Sequence, residues 1–455
     1  MPLSVIILAA GKGTRMNSSK PKVIHQLAGK ALLQHVVDTS YQLNPDQIIV
    51  VIGHESEQVA STLQDQQIVW VEQKEQLGTG HAVMQCSEVL HEGNDILVLY
   101  GDVPLITTTT LQNLLSSEEA QAAVSILSFN AQDPTGYGRI VRGEDQSVKA
   151  IVEQKDASAE VLAIKESNSG IVFIKSSEYK PLLDKLDNNN AQQEFYLTDI
   201  VKHAVAQGLL VRAVVCDDEQ EVLGVNNQQQ LAQIETIYRN RKTTELMQSG
   251  VKLYDPERID IRGQLVTGRD VSIDVNCILE GNVELGDGVS IGANCVITNS
   301  RIGAGTEILP MSIIENSVIG INNSIGPFAR IRPETETMEN AKIGNFVEVK
   351  KSIIGKGSKV NHLSYIGDTE MGNKVNIGAG TITCNYDGAY KHKTIIDDDV
   401  FVGSDTQLVA PVRVNKGTTI GAGSTITRDT PENQLTFSRA KQLSIKGWVR
   451  PQKKS

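Results

Sequence analysis

IDDDVFVGSDTQLVAPVRVNKGTTIGAGSTI, residues 396–426, places an aliphatic side chain at every sixth position: Ile396, Val402, Leu408, Val414, Ile420 and Ile426. A period of six fits neither the helical repeat of about 3.6 nor the strand repeat of about two. It is the mark of a hexapeptide parallel β-helix, in which one aliphatic per hexapeptide points inward and stacks on the next coil at roughly 4.8 Å. Leu279, Leu285, Ile291 and Ile297 keep the same beat, as do Ile319, Ile325 and Ile331. Gly follows many of them, at Gly286, Gly292, Gly320, Gly326, Gly403 and Gly421. Phase is lost between Thr383 and Ile396, so the polar stretch Cys384–Lys393 is expected to leave the coil as a loop. Long loops on rigid scaffolds are commonly functional.

Before about Asn227 the grammar is different. Ser4–Ala10, Gln47–Ile52, Asp95–Tyr100 and Ala122–Ser128 read as buried strands, with helical patterns such as Leu32–Leu43 and Glu55–Leu63 between them. Such alternation implies an α/β, Rossmann-like unit with a mostly parallel sheet, and a ligand site beyond the strands' carboxyl ends, after Ala10 and Tyr100. Gln228–Gln248 reads as one helix, with Gly250 as its C-cap. The expected division is residues 1–228, a helical linker 229–249, and the β-helix 250–455.

The 455 residues exceed what one core supports. A net charge of -11 argues against a general nucleic-acid binder. Within that acidic chain, Met1–Val37 has no Asp or Glu but holds Lys12, Arg15, Lys20, Lys22 and Lys30. The tail after Glu432 likewise holds only cations: Arg439, Lys441, Lys446, Arg450, Lys453 and Lys454. These stretches are either two places that hold anionic small molecules or a solvated face and an untidy tail. Cys86, Cys216, Cys277, Cys295 and Cys384 show no metal-ligand spacing, and scattered thiols fit a reducing compartment. The apolar run Val5–Ala10 is too short to span a bilayer and lacks signal-peptide features, so a cytoplasmic protein without membrane association is expected.

Leu8-Ala9-Ala10-Gly11-Lys12-Gly13-Thr14-Arg15 follows the first strand, with Pro21-Lys22 beyond. Small residues let backbone N–H groups approach phosphates, and Arg15 and Lys22 supply charge for a leaving pyrophosphate. Neither the dinucleotide fingerprint nor the P-loop is present. The segment resembles the signature of sugar-1-phosphate nucleotidyltransferases. Gln73 with Leu77-Gly78-Thr79-Gly80 resembles that family's uracil-recognition segment, and Tyr100-Gly101-Asp102 its metal-binding strand end. Gly138, Glu153 and Asn168, in that order, resemble its sugar-contacting residues. The resemblance implies that Asp102 and Asn226 hold Mg²⁺ and that a sugar-1-phosphate attacks the α-phosphorus of UTP. Alone, Asp102 reads sooner as a turn residue capping a strand end; the company of the other segments reverses that reading.

His362 is the one histidine inside the regular coils, since His392 falls in the phase-breaking loop. A neutral imidazole is a natural base for an attacking amine, though an isolated histidine can simply satisfy a turn. The last 200 or so residues resemble the acetyltransferase half of the bacterial bifunctional glucosamine-1-phosphate acetyltransferase/N-acetylglucosamine-1-phosphate uridyltransferase family. That resemblance implies a left-handed β-helix and a homotrimer, with His362 as base. It assigns Arg332, Lys350, Tyr365 and Asn376 to glucosamine-1-phosphate, and Ala379, Asn385, Tyr386, Ser404, Ala422 and Arg439 to acetyl-CoA. The product, UDP-N-acetylglucosamine, would feed cell-envelope polysaccharide synthesis. One departure is Pro333-Glu334, where Pro-Gly is expected; an exposed turn is the simpler reading.

Two other readings compete: a single-activity uridyltransferase whose β-helix only oligomerises, and a β-helical scaffold that binds nucleotides without turnover. His362, Asn385-Tyr386 and the basic tail weigh against the first, and the Asp102/Asn226 pair against the second. Asp397-Asp398-Asp399 lies inside the phased repeats and reads as a solvent-facing corner.

Overall fold

The computed structural model describes residues 2–11, 13–53, 56–63, 67–116, 121–451 and 453. Lys12, Lys454 and Glu55, the expected start of a helix, lie outside them. The chain divides into two compact units, Met1–Tyr238 and Arg239–Ser455.

The central strands of the first unit have no polar face. β1 (Leu3–Ala9) and β2 (Gln47–Ile52) are buried along their whole length, as strands covered on both faces must be. Alternate side chains of β1 enter two separate cores, Leu3, Val5 and Ile7 on one side and Ile6 and Leu8 on the other. The remaining strands of this sheet are β3 (Ile68–Glu72), β4 (Asp95–Tyr100), β5 (Val124–Asn130), β6 (Arg139–Arg142), β7 (Val148–Val152), β8 (Glu166–Ile174) and β9 (Val211–Cys216). In space they run β9-β5-β8-β4-β1-β2-β3, with the β6–β7 hairpin attached to β8. The pairs β1–β2, β1–β4, β2–β3 and β5–β9 are parallel.

β8 runs antiparallel between β4 and β5. Sequence patterning missed it because Glu166–Gly170 is polar, and its register shifts between Asn168 and Val172, where Gly170 takes φ 88°. The expected helices are observed at Leu32–Tyr41, Ser56–Leu63 and Gln228–Gln248. Gly250, at φ 97°, ends the last of these, its N–H donating to the Met247 carbonyl at 3.1 Å. The division between units falls inside this helix.

The second unit is a parallel β-helix with three strands per coil, consistent with the left-handed hexapeptide type. On the first face Ile273, Ile291, Ile308, Ile325, Ile343, Val360, Ile377, Val402 and Ile420 stack coil upon coil. Ile297, Ile314, Ile331, Val349 and Ile366 form the inner row of the second face. Ile302, Ile319, Thr337, Ile354, Met371, Ile396 and Val414 form that of the third.

The beat is less strict than the sequence segments suggested. Between the second and third faces the step shortens to five residues at Ile297–Ile302, Ile314–Ile319, Val349–Ile354 and Ile366–Met371. Each short corner turns on a left-handed residue: Asn299, Asn316, Lys351 or Asp368, with φ between 44° and 47°. The hydroxyl that follows, of Ser300, Ser317, Ser352 or Thr369, donates to the carbonyl two residues back, at 2.6–2.9 Å. Thr335, on a coil with a six-residue step, and Thr394, just after the inserted loop, have buried hydroxyls without such a bond. Tightening the corner and satisfying the hydroxyl are one device.

Two further features bear on function. Ile377 stacks on Val402, 25 residues on, where neighbouring coils take 17 or 18. The excess is the expected loop, between strands Ile382–Cys384 and Thr394–Ile396. At the corner from first to second face, Met311, Phe328, Phe346 and Leu363 occupy the left-handed region on successive coils (φ 47–63°) and are 45–61% exposed. Elsewhere the corners mostly use Gly, Asn or Asp, which tolerate that conformation.

Cys277 and Cys295, 18 residues and so one coil apart, fall in adjoining register positions, buried and free. Asp397-Asp398-Asp399 does form a corner. Its first two carboxylates bind the Arg413 guanidinium (2.8 Å) and the Asn373 N–H (2.7 Å). Glu334, in the departure from Pro-Gly, is left-handed (φ 62°), exposed and paired with Lys351 at 3.1 Å.

Candidate functional site

In the first unit, parallel pairing puts Leu8 of β1 beside Tyr100 of β4. The chain therefore leaves both strands at one edge, and the Gly101 N–H donates back to the Leu8 carbonyl at 2.9 Å. A cleft of about 530 Å³ opens there, lined by eleven of the expected residues: Leu8, Ala9, Ala10, Gly11, Lys22, Gln73, Gly78, Thr79, Tyr100, Asp102 and Asn226. Lys22 Nζ donates to Asp102 Oδ2 at 2.5 Å and to Asn226 Oδ1 at 3.2 Å. Arg15 Nη2 donates to the same Asn226 oxygen at 2.9 Å. Residues more than 200 positions apart thus converge on one polar knot. The Val225 N–H anchors the Asn226 end by donating to the Asp102 carbonyl at 2.9 Å.

Gly78 (φ 110°) lies against the Phe195 backbone, where a Cβ would come within 2.6 Å of its oxygen. Gln73 Nε2 donates to the Gly78 carbonyl at 3.1 Å, fixing that wall. Gly138, Glu153 and Asn168 do not line the cleft itself. They form a cluster of their own, in which the Asn168 N–H donates to the Gly138 carbonyl (2.8 Å) and a Cβ on Gly138 would meet Glu153 Oε1 at 3.3 Å. Burial pushes the Glu153 carboxyl up, partly offset by the Thr198 hydroxyl that donates to it at 3.1 Å. Burial likewise raises the Tyr100 phenol, with the Glu153 and Asp102 charges adding to the effect. Gln76 and Glu194 also line the cleft and were missed. Gln76 Nε2 donates to the Ala10 carbonyl at 2.6 Å, a tie that no local pattern announces.

Asp102 and Asn226 present a carboxylate and an amide oxygen, the hard donors that Mg²⁺ prefers. Among the described residues no group of three His, Cys, Asp or Glu could hold a metal. A cation at Asp102 and Asn226 would therefore complete its shell with water and phosphate oxygens, and Lys22 Nζ would have to yield its place between the two side chains.

In the second unit, register arranges the expected residues in rows. Val360, Ile377, Val402 and Ile420 stack, so the residues two positions on stack as well: His362, Ala379, Ser404 and Ala422. Arg439 closes this corner, its Cδ 3.6 Å from where a Cβ on Gly423 would lie and its Nη2 3.7 Å from one on Gly421. On the second face Arg332 and Lys350 stack in one outward row, Glu348 and Tyr365 in another. Arg332 Nη1 donates to Glu348 Oε1 at 2.7 Å, and this bond raises the guanidinium further. Asn376 stands on the first face, beyond the corner from Arg332, Lys350 and Tyr365.

The inserted loop starts at Asn385, which is buried and donates to Asp368 Oδ2, followed by Tyr386, 60% exposed. Asp387 pins the loop. Its carboxylate accepts the Tyr390 N–H (2.7 Å), His392 Nε2 (2.7 Å) and the Ala389 N–H (2.8 Å), and is held far below the ordinary carboxylate range. Lys391, missed at the sequence level, comes back against Lys350, whose proximity lowers the Lys391 ammonium. Only the loop's fold reveals that pairing.

Residues 5–192 match the MobA-like NTP transferase domain family, and residues 261–336 match the GMPPB C-terminal domain family. The chain is similar along its length to proteins named bifunctional protein GlmU. That of Chromobacterium violaceum is 52% identical over 453 residues, covering 100% of this chain and 99% of the relative. Those of Azoarcus sp. (strain BH72) and Janthinobacterium sp. (strain Marseille) are each 54% identical over 451 residues, covering 99% of this chain and 100% and 99% of the relatives.

Proposed function

The chain belongs to the GlmU family of bifunctional proteins, and from that premise we propose how its residues divide two reactions. It is a bifunctional enzyme, an N-acetylglucosamine-1-phosphate uridyltransferase and a glucosamine-1-phosphate N-acetyltransferase. On our reading residues 1–228 carry the first activity, 229–249 link, and 250–455 carry the second.

Acetyl transfer comes first. Arg332 and Lys350 bind the sugar phosphate, with Tyr365 beside them. The C2 amine bonds to the acetyl carbonyl carbon while His362 takes its proton, and the C–S bond breaks. The proton then passes to the departing thiolate, giving free coenzyme A. Ala379, Ser404 and Ala422, all small, leave room along the corner for the pantetheine arm. Arg439 holds the nucleotide end, and Asn385 and Tyr386 complete the acetyl-CoA site. The observation that carries this reading is the single row His362–Ala379–Ser404–Ala422, produced by backbone register alone.

In uridylyl transfer an oxygen of N-acetylglucosamine-1-phosphate bonds to the α-phosphorus of UTP, and the bond to the β-phosphate bridge breaks, releasing pyrophosphate. Leu8–Gly11 approach the nucleotide through backbone, while Gln73, Gly78 and Thr79 bound the base. Tyr100 and Gly101 line the approach, and Gly138, Glu153 and Asn168 bind the N-acetyl sugar. Arg15 and Lys22 meet the growing charge on the leaving group. The family generally uses a divalent metal, and we assign Mg²⁺ to Asp102 and Asn226, where when bound it supplies charge neutralisation on the phosphates.

We further propose a cytoplasmic homotrimer serving cell-envelope polysaccharide synthesis. Among the described residues no helix is long and apolar enough to cross a membrane. The exposed apolar corner Met311–Phe328–Phe346–Leu363, and Asn376 standing apart from the other sugar-phosphate residues, both favour a site completed by neighbouring subunits.

A split assay tests the division. Glucosamine-1-phosphate with acetyl-CoA is followed by free thiol, and N-acetylglucosamine-1-phosphate with UTP and Mg²⁺ by pyrophosphate. His362→Ala is expected to abolish thiol release and leave pyrophosphate release unchanged. Unchanged thiol release would overturn His362 as the base.

A further inference from the structure

We propose that Asn345 is a positioning residue that fixes which nitrogen of His362 acts as the base; this rests on the reading of His362 given above. Strands of the first face are two residues long on every coil except two, Lys342–Asn345 and Lys359–His362. The added length brings Asn345 into direct register with His362. Backbone bonds hold the pair together: the Leu363 N–H donates to the Asn345 carbonyl at 3.1 Å, and the Ser364 hydroxyl to the His362 carbonyl at 2.7 Å. His362 is thus seated before its ring is considered.

Asn345 Oδ1 then lies 2.9 Å from His362 Nδ1. An amide oxygen can only accept, so Nδ1 carries the proton and Nε2 keeps the lone pair that takes a proton from the amine. The other neighbours in this row, Pro327 before and Ala379 after, carry no polar side chain. Asn345 alone in the row can set the tautomer. An aspartate there would also orient the ring but would favour the imidazolium. A neutral amide orients without drawing a proton onto the base.

The test uses the full-length protein with ¹⁵N-labelled histidine, His362 being identified by its loss in His362→Ala. At a pH where the ring is neutral, the unmutated protein should show a protonated Nδ1 and a bare Nε2. Asn345→Leu should mix the tautomers and lower kcat for acetyl transfer by about 10–100-fold, with KM for both substrates nearly unchanged. Asn345→Asp should restore the tautomer and most of kcat, and move the acid limb of the rate–pH profile to higher pH. A proton on Nε2 in the unmutated protein would overturn the proposal, and needs no variant to fold. So would an Asn345→Leu profile matching the unmutated one while His362→Ala is inactive. Full acetyl transfer by His362→Ala would instead sink the base assignment on which the proposal stands.

Discussion

The two units bring their candidate site residues together by opposite routes. In the first, side chains from positions as distant as Lys22 and Asn226 meet in a concave cleft, because parallel strands release their loops at one edge. In the second, a repeating backbone lays side chains out in straight rows, and most of the expected residues run along one corner and one face. A sheet with crossovers makes a pocket from a single chain. A solenoid makes a flat surface, and concavity must come from a loop that breaks the repeat or from another subunit.

The comparison breaks most decisively if the two activities fail to separate. Asp102→Ala should lower uridylyl transfer by about 10²–10³-fold, the usual loss when a transition-state charge partner is removed, and leave thiol release untouched. Pyrophosphate and thiol assays on one preparation decide it. Next in size, Arg332→Ala should raise KM for glucosamine-1-phosphate by about 10–100-fold, since a hydrogen bond to a charged group contributes about 1.5–3 kcal/mol. Initial rates over a substrate series would read this out, and a change in KM for acetyl-CoA alone would contradict the assignment.

Phe346→Asn sharpens the contrast between a self-sufficient pocket and a shared surface. It should relieve a left-handed strain of about 1 kcal/mol within the chain, yet weaken self-association in sedimentation and lower acetyl transfer. Uridylyl transfer should stay the same.

The smallest effect concerns pH. Burial raises the Glu153 carboxyl above its unfolded value, so its contribution to stability is present in acid and is lost as pH rises through the folded value. Glu153→Gln should therefore melt later than the unmutated first unit at pH 8, and the difference should shrink towards pH 4. Calorimetry at both pH values checks the sign. The same variant should bind the sugar substrate less well.

Much of this was legible because the patterns were local or periodic. The six-residue beat announced the β-helix, loss of phase at Cys384–Lys393 announced the loop, and Gln228–Gln248 was readable to its ends. The antiparallel β8 was hidden by its polar first half. The short corners at Asn299, Asn316, Lys351 and Asp368 were hidden because a missing residue looks like noise until register shows that it recurs at one place.

What the sequence determined by itself was the alternation of buried and exposed positions, and with it two kinds of architecture and most of the chemical groups each contains. Only the tertiary structure decided who meets whom: Lys22 between Asp102 and Asn226, Lys391 against Lys350, Asn345 under His362. Periodicity is a property of neighbours along the chain, whereas these meetings depend on hydrogen-bond register and loop closure, which join residues from 17 to more than 200 positions apart.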